Sequence, residues 1–215
     1  LATSAQAQLV SDGGTAVIIT TTNIAADLTV GNAGPNTTLI ITNGGSVTAN
    51  NAVTGSSAAA TNNLIAVSGA GSKLTTPGGG SVLRTGNIGA FNRLFISEGG
   101  AVSTGFGVIG FPAAASNNTV LVTDSGSVWS NSSVIYVGEG GSSNSLMIAN
   151  AGRVVAGSST IGVVASASNN LVLVTGTNSL WSTVNTLNVG DAGGGSQLRV
   201  SSAGTVTATG LVLGN

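Results

Sequence analysis

The chain has 215 residues, of which 5% are charged, 3% are aromatic and 41% are hydrophobic, and 34 are glycine. That balance excludes an ordinary helical or α/β protein, whose helices draw on Leu, Glu, Lys and Arg, and it excludes disorder, which needs low hydrophobicity with high net charge. A formal charge of −1 gives a phosphate backbone nothing to feel, so nucleic acid is not an expected partner.

Cysteine and histidine are both absent, which removes disulfides, thiolate chemistry, a Ser-His triad and histidine metal sites. No cofactor and no metal is expected. No run of about 18 apolar residues occurs, so no membrane-spanning helix is expected either.

In chain order, the first segment is LATSAQAQ, residues 1–8. Ala5-Gln6-Ala7 has the small-x-small pattern of a signal-peptide cleavage site, which points to export with the cut lying upstream of Leu1. Leu9 then opens LVSDGGTAV as the expected first turn.

From Leu39 onward the chain repeats. The first apolar residues of successive LxI or VxV stretches are Leu39, Ile65, Leu94, Val120, Leu146, Val172 and Leu198, at spacings of 26, 29, 26, 26, 26 and 26. Each is followed two residues later by another aliphatic, from Ile41 to Val200. Six residues after each start comes Gly45, Gly71, Gly100, Gly126, Gly152, Asn178 or Gly204, a column expected to turn through positive φ. Eight residues after the start lie Val47, Lys73, Val102, Val128, Val154, Leu180 and Val206; Lys73 is a misfit there, with Leu74 beside it as the core substitute. A later pair of columns joins Ile109 and Phe111, Ile135 and Val137, Ile161 and Val163, Leu187 and Val189.

A spacing of two within each stretch is a β period. One such repeat cannot bury its own face, so copies must stack as a coil of parallel strands. Two residues before the starts stand Asn63, Asn92, Asn118, Asn144 and Asn170, expected to stack as a hydrogen-bonded asparagine ladder. Turns preceded by NN, at Ile65, Val120 and Val172, carry Leu74, Trp129 and Trp181 nine residues on, whereas those at Leu39, Leu94, Leu146 and Leu198 carry GG or AG. The repeating unit is therefore two turns, or 52 residues. The expected fold is all-β: a single-stranded parallel β-helix, or β-solenoid, with a right-handed coil of about eight turns of about 26 residues over residues 9–215.

The stretches VTDSGSVWSNSSVIYVGEGGSSNSLMIANAGRVV (122–155) and VTGTNSLWSTVNTLNVGDAGGGSQLRVSSAGTV (174–206), with a weaker copy at 28–48, resemble the repeat family associated with type V secretion (autotransporters) and PEP-CTERM surface proteins of bacteria. The resemblance covers about residues 28–215. It implies a secreted, surface-exposed parallel β-helix and no catalytic residues.

Candidate chemistry is sparse. Glu98 and Asp124 each lie four residues after their start, so stacking sets their backbones about 4.8 Å apart, a pairing of the kind a retaining glycosidase uses; a turn position where Asn43 and Asn150 also occur is the simpler reading. The GxGxxG match at Gly105–Gly110 has no helix after it and carries no weight as a nucleotide site. Trp129 and Trp181 form either an aromatic platform for sugar or part of the packing, and packing is favoured. Ile40, Ala66, Phe95, Leu121, Met147, Leu173 and Arg199 alternate with inward residues and so form a candidate outward stripe for lateral contacts.

The ends complete the reading. The 18 residues from Leu198 to Asn215 fall eight short of one period, and residues 1–8 have the length to complete that turn as a donor strand from a neighbouring copy. Leu1, Ala2, Gln8 and Leu9 at one end, and Leu211, Leu213 and Asn215 at the other, are the expected assembly residues. The expected function is structural and non-enzymatic: an extracellular bacterial subunit stacking head to tail into a surface or matrix filament, with copies of itself and surface polysaccharide as partners. The alternatives are a passenger or stalk fragment of a larger adhesin and, less favoured, a carbohydrate-active β-helix using Glu98, Asp124 and the tryptophan pair.

Overall fold

The computed structural model describes residues 12–23 and 26–214. Leu1, Ala2, Gln8, Leu9 and Asn215, and with them the donor-strand expectation for residues 1–8, lie outside the described residues. The described chain forms 24 short strands and no helix, wound into three parallel eight-stranded sheets. Each coil contributes one strand to each sheet, so the fold is a β-solenoid of eight turns.

Turns 1 to 8 are identified by their first-sheet strands: Thr15–Ile18, Thr38–Ile41, Leu64–Ser68, Arg93–Ser97, Thr119–Thr123, Ser145–Ala149, Leu171–Thr175 and Gln197–Ser201. Turn 5 is typical, with Val128–Asn131 in the second sheet and Val134–Val137 in the third. Burial alternates residue by residue along these strands, so Val120, Val122, Trp129, Ile135 and Val137 point into one continuous core. Ala16 stands in register with Leu39, which makes turn 1 short: its first-sheet register begins 23 residues before that of turn 2.

The third corner is built around buried amides. Asn63, Asn92, Asn118, Asn144 and Asn170 are all fully buried. Each presents Oδ1 to the backbone N–H one turn earlier: Thr37 to Asn63 at 2.8 Å, Asn63 to Asn92 at 3.0 Å, Asn92 to Asn118 at 2.8 Å, Asn118 to Asn144 at 2.9 Å and Asn144 to Asn170 at 2.8 Å. Nδ2 of Asn63 and of Asn118 donates to the next amide oxygen, while Nδ2 of Asn92 and of Asn170 donates to corner carbonyls. At the flanks a hydroxyl replaces the amide, Thr37 in turn 2 and Ser196 in turn 8.

A glycine faces each amide across the turn interface. Gly31, Gly55, Gly86, Gly110 and Gly138 follow the third-sheet strands with φ between 68° and 82°, and a Cβ on any of them would overlap the carboxamide of Asn63, Asn92, Asn118, Asn144 or Asn170. Both the positive φ and the missing side chain are therefore required.

The first corner differs from the expectation. Gly71, Gly126 and Asn178 have positive φ, but in turns 2, 4, 6 and 8 the left-handed residues are the preceding pairs: Asn43-Gly44, Glu98-Gly99, Asn150-Ala151 and Ser202-Ala203. Gly45, Gly100, Gly152 and Gly204 are glycine for another reason, because a Cβ there would run into the backbone carbonyl of the turn below. The two corner types interlock. Oγ of Ser72, Ser127 and Ser179 in the odd turns accepts from the N–H of Gly44, Gly99 and Ala151 in the even turns, at 3.2, 3.0 and 3.1 Å. This bond needs one corner of each type, which is a local reason for a 52-residue unit.

The odd corner holds one more residue, which corrects the second-sheet columns. Leu74, Trp129 and Trp181 align with Val47, Val102, Val154 and Val206 inside, whereas Lys73, Val128 and Leu180 align together outside. Lys73 is thus an ordinary outward residue. The third-sheet column is also corrected: Gly107 and Ser159, not Ile109 and Ile161, stand level with Ile135 and Leu187.

The cause of that slip is a volume alternation. Inner third-sheet positions read Leu28, Ala52, Leu83, Gly107, Ile135, Ser159, Leu187 from turn 1 to turn 7, large in odd turns and small in even ones. Second-sheet positions from turn 2 to turn 7 alternate in step, Val47, Leu74, Val102, Trp129, Val154, Trp181. The Trp129 ring leans over Gly107 so closely that a Cβ there would sit 2.5 Å from it.

Trp129 and Trp181 are 1% and 0% exposed, so they form no surface platform. Both indole N–H groups lack a hydrogen-bond partner. Burying an aromatic ring of about 150–250 Å² contributes about 4–6 kcal/mol, against about 1–3 kcal/mol for the orphaned donor, so burial wins.

Two outcomes follow for stability. Gly86→Ala is expected to lower it by about 2 kcal/mol or more in denaturant unfolding, from positive φ and overlap with Asn118 together, while Gly194→Ala, where nothing stands within 4 Å and φ is not positive, stays within about 0.5 kcal/mol. Gly107→Ala is expected to cost about 1–3 kcal/mol and to be partly rescued by Trp129→Leu, the combination that Ala52 and Leu74 already form in turns 2 and 3; a double-mutant cycle reads the coupling.

Candidate functional site

The last described turn exposes its inner columns. Val200, Leu211 and Leu213 continue the columns of Val174, Leu187 and Val189, yet are 49%, 57% and 69% exposed. Its strands Gln197–Ser201, Thr205–Thr207 and Gly210–Leu213 are paired on one side only among the described residues. The N–H of Ala203 has no hydrogen bond among them, although its counterparts in turns 2, 4 and 6 all bond a serine hydroxyl of the following turn.

Turn 1 carries matching features at the opposite end. Its strands Thr15–Ile18, Thr21–Asn23 and Leu28–Val30 also pair on one side only among the described residues. Thr21 is in register with Ser46, so Thr20 occupies the place that Ser72, Ser127 and Ser179 hold in the other odd turns. Thr22 is small where odd turns are large, and Leu211 in turn 8 is large where even turns are small. The two departures are reciprocal.

The outward stripe is one column of the first sheet. Register aligns Val17, Ile40, Ala66, Phe95, Leu121, Met147, Leu173 and Arg199, one per turn. Ile40, Phe95, Leu121 and Leu173 are half-buried against their neighbours along the column, and Met147 is exposed. Such cross-strand packing on the outer face stabilises the sheet whether or not anything docks on it.

Glu98 and Asp124 do stack in adjacent turns but do not form an acid pair. An oxygen of Asp124 accepts the Glu98 N–H at 3.3 Å, and Glu98 turns the other way to accept from the Ser68 hydroxyl at 2.8 Å. Glu98 and Asp124 both have positive φ, at 54° and 74°, so their place in the fold is the corner itself. Among the described residues no group of three acids could hold a metal ion. Nor does any helix among them have the length and apolarity to cross a membrane.

A different cluster gathers on the outer face of the third sheet. Register there aligns Arg84, Val108 and Tyr136, and Val82 with Phe106. Together with Gly80 and Glu139 they line a surface pocket of about 210 Å³. The Arg84 guanidinium lies over the Phe111 ring, 4.3 Å from its centroid. Its Nε is buried without a partner. Burial raises the Glu139 carboxyl above the ordinary glutamate range, with Arg84 opposing that shift. The sequence pattern does not single this cluster out, although one signal points to it: Arg84 and Tyr136 stand 52 residues apart, in the same column of the two-turn unit.

No protein-family model, no curated protein and no solved structure matches this chain.

A pH dependence follows from Glu139. Because its folded pKa is raised, the neutral carboxyl favours the fold, and that stabilisation is complete below the unfolded value and is lost as pH rises through the folded one. Glu139→Gln is expected to raise the melting temperature at pH 7, with the gain shrinking towards zero near about pH 4; melting curves at both pH values check the sign.

Proposed function

We propose that the protein is a structural, non-enzymatic β-solenoid subunit that stacks head to tail with copies of itself into an extracellular bacterial filament. The reciprocal volume swap carries this reading. Leu211 of one copy would stand beneath Thr22 of the next, so a large residue meets a small one across the junction as Ala52 meets Leu74 within the chain. Thr20 would bring a hydroxyl to the Ala203 N–H, in the pattern of Ser127 and Gly99.

Magnitudes favour strand addition over simple apolar contact. Completing the burial of Val200, Leu211 and Leu213, each already partly covered, is worth on the order of 3–5 kcal/mol, at or below the about 4–15 kcal/mol that association costs. Pairing along three sheet edges at once must supply the rest. Such a contact is heterologous and does not close on itself, so it propagates as a fibre. The likeness of residues 122–155 and 174–206 to secreted surface repeats supports an extracellular setting.

Electron microscopy and sedimentation velocity of the purified chain test the proposal. Fibres are expected from the wild type and are lost in Leu213→Asp, whose melting temperature matches that of unassembled wild type at low concentration because the side chain is exposed in the single chain. Thr22→Leu is expected to weaken assembly, and adding Leu211→Ala to restore it. A wild type that stays monodisperse at high concentration overturns the filament and leaves the adhesin-stalk reading.

A further inference from the structure

The pocket on the third sheet combines features that a merely solvated face does not need. Charged residues are 5% of the chain and aromatic residues 3%, yet Arg84, Glu139, Phe106 and Tyr136 line one small hollow and Phe111 supports the arginine beside it. The strands dictate this. The outer column runs Thr29, Val53, Arg84, Val108, Tyr136, Thr160, so the buried Val108 sets a low floor between two long side chains.

The polar groups around that floor are not engaged with one another. No hydrogen bond or ion pair is made by the side chains of Arg84, Tyr136 or Glu139 to any described residue, although Arg84 and Glu139 are close enough for the guanidinium to oppose the rise in the carboxyl's pKa. Donors from the guanidinium and the phenol and acceptors from the carboxyl and the phenol thus surround an aromatic-walled space, all without hydrogen-bond partners among the described residues. Apolar walls with a few convergent polar groups are the usual make-up of a small-molecule site.

We propose that this pocket binds one uncharged sugar ring of a polysaccharide, with its C–H face against Phe106 and Tyr136 and its hydroxyls accepting from Arg84 and donating to Glu139. Charge selects this ligand class. One cation and one anion side by side leave the site near neutral, so a phosphate or uronate meets Glu139 and an ammonium meets Arg84. A sugar hydroxyl both donates and accepts, and so suits both groups at once. Size selects a single ring: about 210 Å³ is below the about 300–1,000 Å³ of pockets that enclose drug-sized molecules, so the remaining rings stay in solvent along the sheet. The site lies within one chain and does not depend on the filament. Where filaments form, it recurs once per subunit, and a polymeric ligand then binds with avidity.

The test is titration of the full chain with three neutral probes, cellohexaose, mannohexaose and galactohexaose, followed by calorimetry and by NMR shifts of residues 80–84, 106–111 and 136–139. Saturable binding of at least one probe is expected, with shifts confined to those segments. Tyr136→Val, which places in that column the residue found at position 108, is expected to weaken binding by roughly tenfold with little change in melting temperature. Glu139→Gln keeps one acceptor and is expected to retain most of the affinity, whereas Glu139→Lys abolishes it. No saturable binding by any probe, binding that Tyr136→Val leaves untouched, or a preference for a trigalacturonate probe over all three neutral ones overturns the proposal.

Discussion

Each central turn of the coil encloses a primary amide whose oxygen accepts a backbone N–H along the axis, and each amide occupies the space that a side chain on the preceding turn's corner glycine would fill. The two columns are mutually dependent. Asn118, for example, accepts the Asn92 N–H and lies where a Cβ on Gly86 would be. A buried N–H left unpaired costs about 1–3 kcal/mol, so one broken rung is felt, and a run of five rungs holds successive turns in a single register. With register held, the period-two alternation of each strand can bury one face without slippage. The rest of the architecture, including the long inner aliphatic columns, depends on that.

The two-turn unit arises from two separate alternations that happen to share a phase. At the first corner, an even turn with two consecutive left-handed residues offers an N–H that the serine of an odd turn accepts. In the core, the large odd-turn residues Trp129 and Trp181 come one turn after the small Gly107 and Ser159. A solenoid with identical turns would have to satisfy both with average-sized residues and would leave voids beside small ones. Alternation lets a chain with few aromatic residues use two of them at full burial.

The same logic frames function. Elsewhere on the outer faces charged side chains such as Lys73 and Arg153 stand among small or aliphatic neighbours, so the gathering of Arg84, Tyr136 and Glu139 over Val108 stands out. In the last described turn the inner columns are exposed at Leu211 and Leu213, and the size pattern departs from its alternation there and at Thr22 in turn 1. The asparagine ladder gives way to hydroxyls at Thr37 and Ser196 in the flanking turns.

The sequence by itself determined the class of fold, the number of turns, the period, the identity of the ladder and the inward first-sheet aliphatics, because each depends on short-range alternation repeated at a constant interval. It did not determine register in the second and third sheets. Lys73 looked like a misfit and Ile109 like the partner of Ile135, since matching by hydrophobicity alone cannot place an inward glycine or count an extra corner residue. Only the tertiary structure decided those points, because the volume of Trp129 is accommodated by a residue 22 positions away in another sheet. It also decided that Trp129 and Trp181 are core, that Glu98 and Asp124 are corner residues, and that Arg84 and Glu139, 55 residues apart in the chain, share one pocket.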